Sequence, residues 1–279
     1  MDKKHVRALI IIIFSILLVY HAVIASGTQY KEMAAVQDAS RNLRRVNNIQ
    51  YSYTTTLTSS AGTDIERVDV WGNQLTGEWV AEYYVTDEDG TRKILKSFCD
   101  GRNLYHYIEW TGDWEKQLLT DTTMPSLTSV TSLTYGDDDI AEISREQEDG
   151  HETVTVSLTE EYLEELVSQH YEEARELYEG YSRAEVSTER QDSLQLGMER
   201  YAQIRLADAK NIFVIDKENV LTGVEYATTL YAPEVVKDAD GKTSLGNEKS
   251  MLFQYRIDVR AYNRQSILDT IELCSEEIM

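Results

Sequence analysis

Ser250-Met-Leu-Phe-Gln-Tyr-Arg-Ile-Asp-Val-Arg-Ala-Tyr262 is the stretch whose reading decides the fold. Met251, Phe253, Tyr255, Ile257, Val259 and Ala261 fall on one side of an extended chain, with Gln254, Arg256, Asp258 and Arg260 on the other. A period of two belongs to a β-strand with one face against a core and one face in water. The same alternation returns near the start of the chain. There Ile49, Tyr51, Tyr53, Thr55 and Leu57 oppose Gln50, Ser52, Thr54, Thr56 and Thr58. Similar runs cover 64–71, 76–86, 91–99, 102–110, 140–147, 152–158, 198–207, 211–216 and 220–232.

The punctuation between these runs fits hairpins. Asp89-Gly90, Asp100-Gly101, Asp149-Gly150 and Asp240-Gly241 each separate two strand-like runs. Asp-Gly suits a type I′ turn because both residues tolerate positive φ. Adjacent antiparallel strands in sequence order follow, with one apolar and one wet face.

Two helices interrupt the strands. Met33, Val36, Leu43 and Val46 recur at helical spacing over 29–47. A longer helix over 159–180 has Thr159 to cap it and Glu160 and Glu161 at the positive end of its dipole. Tyr162, Leu166, Ala174, Leu177 and Tyr181 form its apolar stripe, Glu164, Glu165, Glu172, Glu173, Glu176 and Glu179 line the opposite face, and Gly180 ends it. With Pro125 and Pro233 the only prolines and no linker-like stretch, residues 28–279 read as one domain carrying a helical insertion around 159–196.

Ahead of this domain, Ala8–Ala25 is apolar and follows Lys3, Lys4 and Arg7. The pattern is that of a secretory signal peptide, with His21-Ala-Val-Ile-Ala25-Ser26 as a cleavage region. As a helix the segment would be about 27 Å long, close to the roughly 30 Å hydrocarbon thickness, so an uncleaved membrane anchor fits equally. Either reading makes the domain extracytoplasmic, on the cell membrane through residues 8–25 or secreted.

The chain carries a net charge of −22. Such acidity repels nucleic acid and favours, if anything, a cationic protein partner at the envelope. Cys99 and Cys274 are the only cysteines, too few for a disulfide scaffold, and their pairing is left open. No Gly-rich phosphate loop or dinucleotide fingerprint occurs. Asp238-Ala-Asp240-Gly241 fails as a calcium loop, because the alignment puts Val236 and Asn247 where acids are required. Asp137-Asp138-Asp139 reads as a solvated loop. His106, His151 and His170 have no nucleophile elbow beside them, so a catalytic role is not expected, and neither a metal nor a cofactor is.

Two phrases resemble a known superfamily. Phe98-Cys-Asp-Gly-Arg-Asn-Leu-Tyr-His-Tyr107 and Phe213-Val-Ile-Asp-Lys-Glu-Asn-Val-Leu-Thr-Gly-Val-Glu225 are similar to hairpins of LolA/LppX-type lipoprotein carriers, and the order of elements over 29–262 is similar too. The resemblance implies an α+β fold: a strongly curved antiparallel sheet, a half-barrel with helices covering its concave face. It implies a non-catalytic role, binding a lipid, lipoprotein segment or other apolar ligand in the cavity of the sheet. No lipid-attachment Cys follows the apolar segment, and the insertion around 159–196 can fill the cavity that a carrier leaves open. On the apolar strand faces, Tyr51, Tyr53, Trp79, Tyr83, Phe253 and Tyr255 are the residues expected to line a ligand site. The alternative is an envelope sensor or interaction module whose sheet is a packed scaffold and whose acidic surface binds a protein.

Overall fold

A computed structural model describes residues 31–278, apart from 61, 88–89, 109–110, 118–123, 125–134, 183–187 and 238–242. The segment Ala8–Ala25 lies outside the described residues, as do Asp238 and Asp240. Among the described residues no helix is long and apolar enough to cross a membrane.

The alternating runs become strands β1 (Asn48–Ser59), β2 (Gly62–Asn73), β3 (Glu78–Asp87), β4 (Gly90–Asp100), β5 (Leu104–Ile108) and β6 (Asp113–Gln117). A second series follows: β7 (Ile140–Glu148), β8 (His151–Leu158), β9 (Arg205–Ile215), β10 (Leu221–Lys237) and β11 (Thr243–Tyr262). All belong to one antiparallel sheet of order β6-β5-β4-β3-β2-β1-β11-β10-β9-β8-β7. Each series is a meander of sequential neighbours, and the two meet where β1 pairs with β11, Tyr53 opposite Ile257. The two most regularly alternating stretches are therefore the central strands. The helices are α1 (Lys31–Leu43), α2 (Glu160–Ser182), α3 (Thr188–Tyr201) and α4 (Gln265–Ile278).

Burial divides the sheet into two faces. The inner face carries Tyr51, Val68, Val70, Trp79, Ala81 and Cys99, with Val154, Val156, Phe213 and Ile257 from the second series. Met33, Val36, Ala39 and Leu43 of α1 pack on it, and so does Leu163 of α2. The outer face has a smaller cluster in which Ile267, Ile271 and Cys274 of α4 cover Val80 and Phe98, with Trp71, Tyr105 and Trp114 alongside. Trp71, Val80, Phe98 and Tyr105 are successive cross-strand partners. Their chain neighbours Gly72, Trp79, Cys99 and Leu104 form the matching row on the inner face.

This double covering corrects the expected half-barrel. The sheet is not strongly curled, and β6 and β7 lie at its opposite edges. A sheet rolls up to enclose apolar side chains on one side. Here β2–β5 have apolar residues to bury on both sides, so they remain an open layer between helices. The helices accordingly cover both faces, α4 lying opposite α1.

Other corrections are local. Residues 198–207 do not form a strand: α3 runs to Tyr201 and β9 begins at Arg205. Helix α2 continues two residues past Gly180, while its start is as expected, with Tyr162 N–H donating to Thr159 Oγ1 at 3.3 Å. Of the Asp-Gly turns, Asp149 and Gly150 have φ of 51° and 79°, as a type I′ hairpin needs. Asp100 instead accepts from the N–H groups of Arg102 and Asn103, at 2.8 and 2.7 Å. Gly101 has φ of 83°, and a Cβ there would stand 2.5 Å from Thr76 O, because this turn packs against the one between β2 and β3.

The paired phrases that carry the family resemblance are explained by these turns. Asp216 accepts from Glu218 and Val220 N–H at 2.9 and 3.0 Å, while its other oxygen accepts from Tyr262 at 2.7 Å. Asp100 has the same arrangement, with Tyr105 donating at 3.3 Å. Burial alone would raise the Asp100 pKa, but bonds from Asn103, Arg102 and Tyr105 outweigh it and hold the carboxyl below its usual range. Both aspartates are turn formers.

Candidate functional site

All six residues expected at a ligand site stand on the inner face. Cross-strand pairing places Tyr51 beside Val70, Tyr53 beside Val68 and Ile257, and Val68 beside Tyr83. The structure divides them by depth. Tyr51, Trp79, Phe253 and Tyr255 are buried within the apolar cluster. Tyr53 and Tyr83 are only partly buried and pack against it, and the Tyr53 and Tyr255 rings lie 6.3 Å apart.

More of this surface was missed in the sequence. Tyr226 on β10 stacks edge-on to Phe253 at 6.3 Å, and Tyr162 on α2 meets Tyr135 edge-on at 5.7 Å. Tyr83, Tyr162 and Tyr226 lie deep, with protein on most sides, yet each side chain keeps accessible surface. Burial shifts the phenols in keeping with this. Tyr162 is pushed up to about 12, first by desolvation and then by Asp139 and Glu165. Tyr226 is also raised by desolvation, well above its ordinary value. The period-two signal in 220–232 pointed to Tyr226, since it shares a face with Val224 and Thr228; nothing local distinguished it from a core residue.

A polar row crosses this apolar face. Asn211, Tyr226, Tyr255, Thr55 and Glu66 are successive cross-strand partners on β9, β10, β11, β1 and β2. Asn211 and Thr55 are buried, at 2% and 3% exposure. Asn211 Nδ2 has no hydrogen-bond partner among the described residues, and the Tyr226 hydroxyl, influenced by Thr228, makes no close hydrogen bond. Thr228, two residues further on, directs its own hydroxyl to Ala207 O at 2.9 Å. A buried donor without an acceptor costs roughly 1–3 kcal/mol, so two of them side by side mark a place where an acceptor from outside would be welcome. Glu66 is raised above its usual value of 4.5 by desolvation, with Asp64 adding to the effect.

The remaining candidates resolve into structure. Ser97 Oγ and His106 Nδ1 are 2.7 Å apart on the inner face, and burial pushes the imidazole below its usual pKa. Ser97 has no exposed surface, and its partner is one half of a cross-strand pair in the β4–β5 ladder. His170 is buried on the inner side of α2, 3.5 Å from Glu173, and His151 is exposed at the turn before β8. Asp139 accepts from Gly136 N–H at 2.6 Å and closes a short helical turn. Cys99 and Cys274 do not form a disulfide: Cys99 belongs to the inner cluster and Cys274, on α4, to the outer one. Among the described residues no group of three or more metal-binding side chains is present.

No protein-family profile matches the chain, and no curated protein matches it. Among solved structures it is similar to the lipoprotein LppX of Mycobacterium tuberculosis, at 10% identity over 84% of this chain and 95% of that one, with a TM-score of 0.37. It is also similar to LprF of Mycobacterium bovis, at 12% identity over 85% and 95%, with a TM-score of 0.33. A LolA superfamily protein of Nitrosomonas europaea shares 11% identity over 83% and 94%, with a TM-score of 0.24.

Proposed function

We propose that this is a non-catalytic extracytoplasmic protein that binds a lipid, a lipoprotein segment or another apolar ligand on the inner face of its sheet. One observation carries the reading: Tyr83 and Tyr226 of the sheet and Tyr162 of α2 are mostly enclosed by protein and still keep accessible surface. A packed scaffold closes such rings off, as this protein does at Tyr51 and Phe213. A crevice with apolar walls and a few convergent polar groups is the usual form of a small-molecule site. The apolar segment Ala8–Ala25 supports a location at or beyond the membrane, where such ligands are found.

The test is native mass spectrometry of protein purified from its own membrane fraction, together with titration of the uncharged lipophilic fluorophore N-phenyl-1-naphthylamine. Co-purifying lipid-sized adducts and saturable fluorescence enhancement are expected. Reproducible absence of both overturns the reading, and a salt-sensitive protein partner recovered in their place points to a scaffold with an acidic docking surface.

A further inference from the structure

We infer that the row Asn211–Tyr226–Tyr255–Thr55–Glu66 selects uncharged amphiphiles, ligands whose polar end is an ester, ether or hydroxyl oxygen, over those ending in a carboxylate or phosphate. The inference rests on the apolar-ligand reading above and adds the chemistry of the polar end.

Three observations support it. The first is the supply of donors. Asn211 Nδ2 is a buried donor lacking an acceptor among the described residues, the Tyr226 hydroxyl makes no close hydrogen bond, and the two are direct cross-strand neighbours. A ligand oxygen that reached this pair would supply the acceptor both lack. The second is charge. An anion taken into a low-dielectric crevice needs a cation beside it. The row contains no lysine or arginine, and the charged groups that act on the surrounding side chains are acids: Asp139 on Tyr135 and Tyr162, Glu165 on Tyr162, and Asp64 on Glu66.

The third is the placement of the cations. Lys93, Arg67 and Arg256 sit on the outer face, where each pairs with a carboxylate: Glu82, Asp69 and Asp258. On the inner face Arg145 of the edge strand β7 is paired with Glu152 at 2.5 Å, beside Val154 rather than in the row. Arg92 also stands on the inner face, in line with the row beyond Val85, but on β4, five strands from Tyr226. Among the described residues, therefore, no sheet cation on this face lies beside the Asn211–Tyr226 pair. Glu66, at the β2 end of the row, adds a carboxylate there rather than a cation.

Displacement of bound N-phenyl-1-naphthylamine by 1-mono-oleoylglycerol, methyl oleate and oleate, each below its aggregation concentration at pH 8, tests the inference. The two uncharged probes should compete at least about tenfold better than oleate, the scale of one hydrogen bond kept or lost. Asn211→Leu and Tyr226→Phe should each shrink that ratio severalfold. Glu66→Lys, which places a cation in the row, should move the preference toward oleate. Arg256→Ala, on the opposite face, should keep the full ratio, with thermal melts confirming that each variant folds. Equal or tighter binding of oleate by the wild type, or an unchanged ratio in the Asn211 and Tyr226 variants, overturns the inference and leaves the apolar-ligand reading standing. Failure of the wild type to bind the fluorophore or any of the three lipids overturns both.

Discussion

The two faces of the central strands solve opposite problems with the same period of two. On the outer face below α4, the row Glu82–Asp69–Ser52–Asp258 lies next to the row Lys93–Tyr84–Arg67–Thr54–Arg256–Glu225. Carboxylates and cations of neighbouring rows pair, as Arg256 does with Asp258 at 2.8 Å, and Arg67 also stacks over Tyr84 at 4.6 Å. On the inner face the same strands present Tyr51, Tyr53, Val68, Val70 and Ile257, crossed by the polar row that runs from Asn211 to Glu66. The outer face is polar and pairs its charges largely within itself, Arg67 Nε excepted, whereas the inner face is apolar with donors left over at Asn211 and Tyr226. A surface whose polar groups already have partners gains little from a ligand, and a buried face with spare donors gains more.

That contrast can be broken by mutation, and the largest effect should come from the inner face. Phe213→Ala removes a ring with no exposed surface and should lower the free energy of unfolding by about 3–5 kcal/mol, measured by denaturant titration. Ile267→Ala, beneath α4 on the other side, should cost about 2–4 kcal/mol. A loss below about 1 kcal/mol there would mean that α4 is an appendage, and the account of why the sheet stays open would fail.

Turn chemistry comes next. Asp216→Ala takes the acceptor from two backbone N–H groups and from Tyr262. A loss of about 1–3 kcal/mol is expected, with hydrogen exchange quickening first at the β9–β10 turn. Glu66→Gln sharpens the comparison through pH. The folded protein holds the Glu66 pKa above 4.5, so the fold binds this proton more tightly than the unfolded chain does. The wild type therefore loses stability as pH rises from the unfolded value through the folded one. The Gln variant should escape that loss, melting higher than wild type at pH 7 while the difference narrows toward pH 4. A constant difference would show that Glu66 does not titrate as described.

The smallest effect belongs to the outer ladder. Arg256→Ala should change stability by no more than about 1 kcal/mol, less in high salt, because the pair is exposed. A larger loss would show that the outer face is more than a hydrated surface.

Much of this arrangement was legible in the chain. Strict alternation in 49–58 and 250–262 identified the strands that prove central, and side-chain parity put the six aromatic candidates on the apolar faces of three strands, which the register joins into one face. Helix α4 was legible too, since Ile267, Ile271, Cys274 and Ile278 recur at helical spacing, but it went unread behind a long strand. Its omission made the sheet seem covered on one side only, while the strong curl was implied by the family resemblance alone. Local pattern reports which side of a strand is apolar, not what covers it. The polar row was beyond reach for a different reason. Asn211, Tyr226, Tyr255, Thr55 and Glu66 are brought together only by cross-strand register, and a slip of one residue in any pairing would scatter them to opposite faces.

Photo-crosslinking with a diazirine-bearing monoacylglycerol, followed by peptide mass mapping, tests the central claim most directly. The account predicts labels on inner-face peptides containing Tyr53, Tyr83 and Tyr226, competed away by unlabelled mono-oleoylglycerol. Labels that concentrate instead at exposed apolar residues such as Leu75, Ile94, Leu252 and Leu273, and that persist under competition, would contradict it.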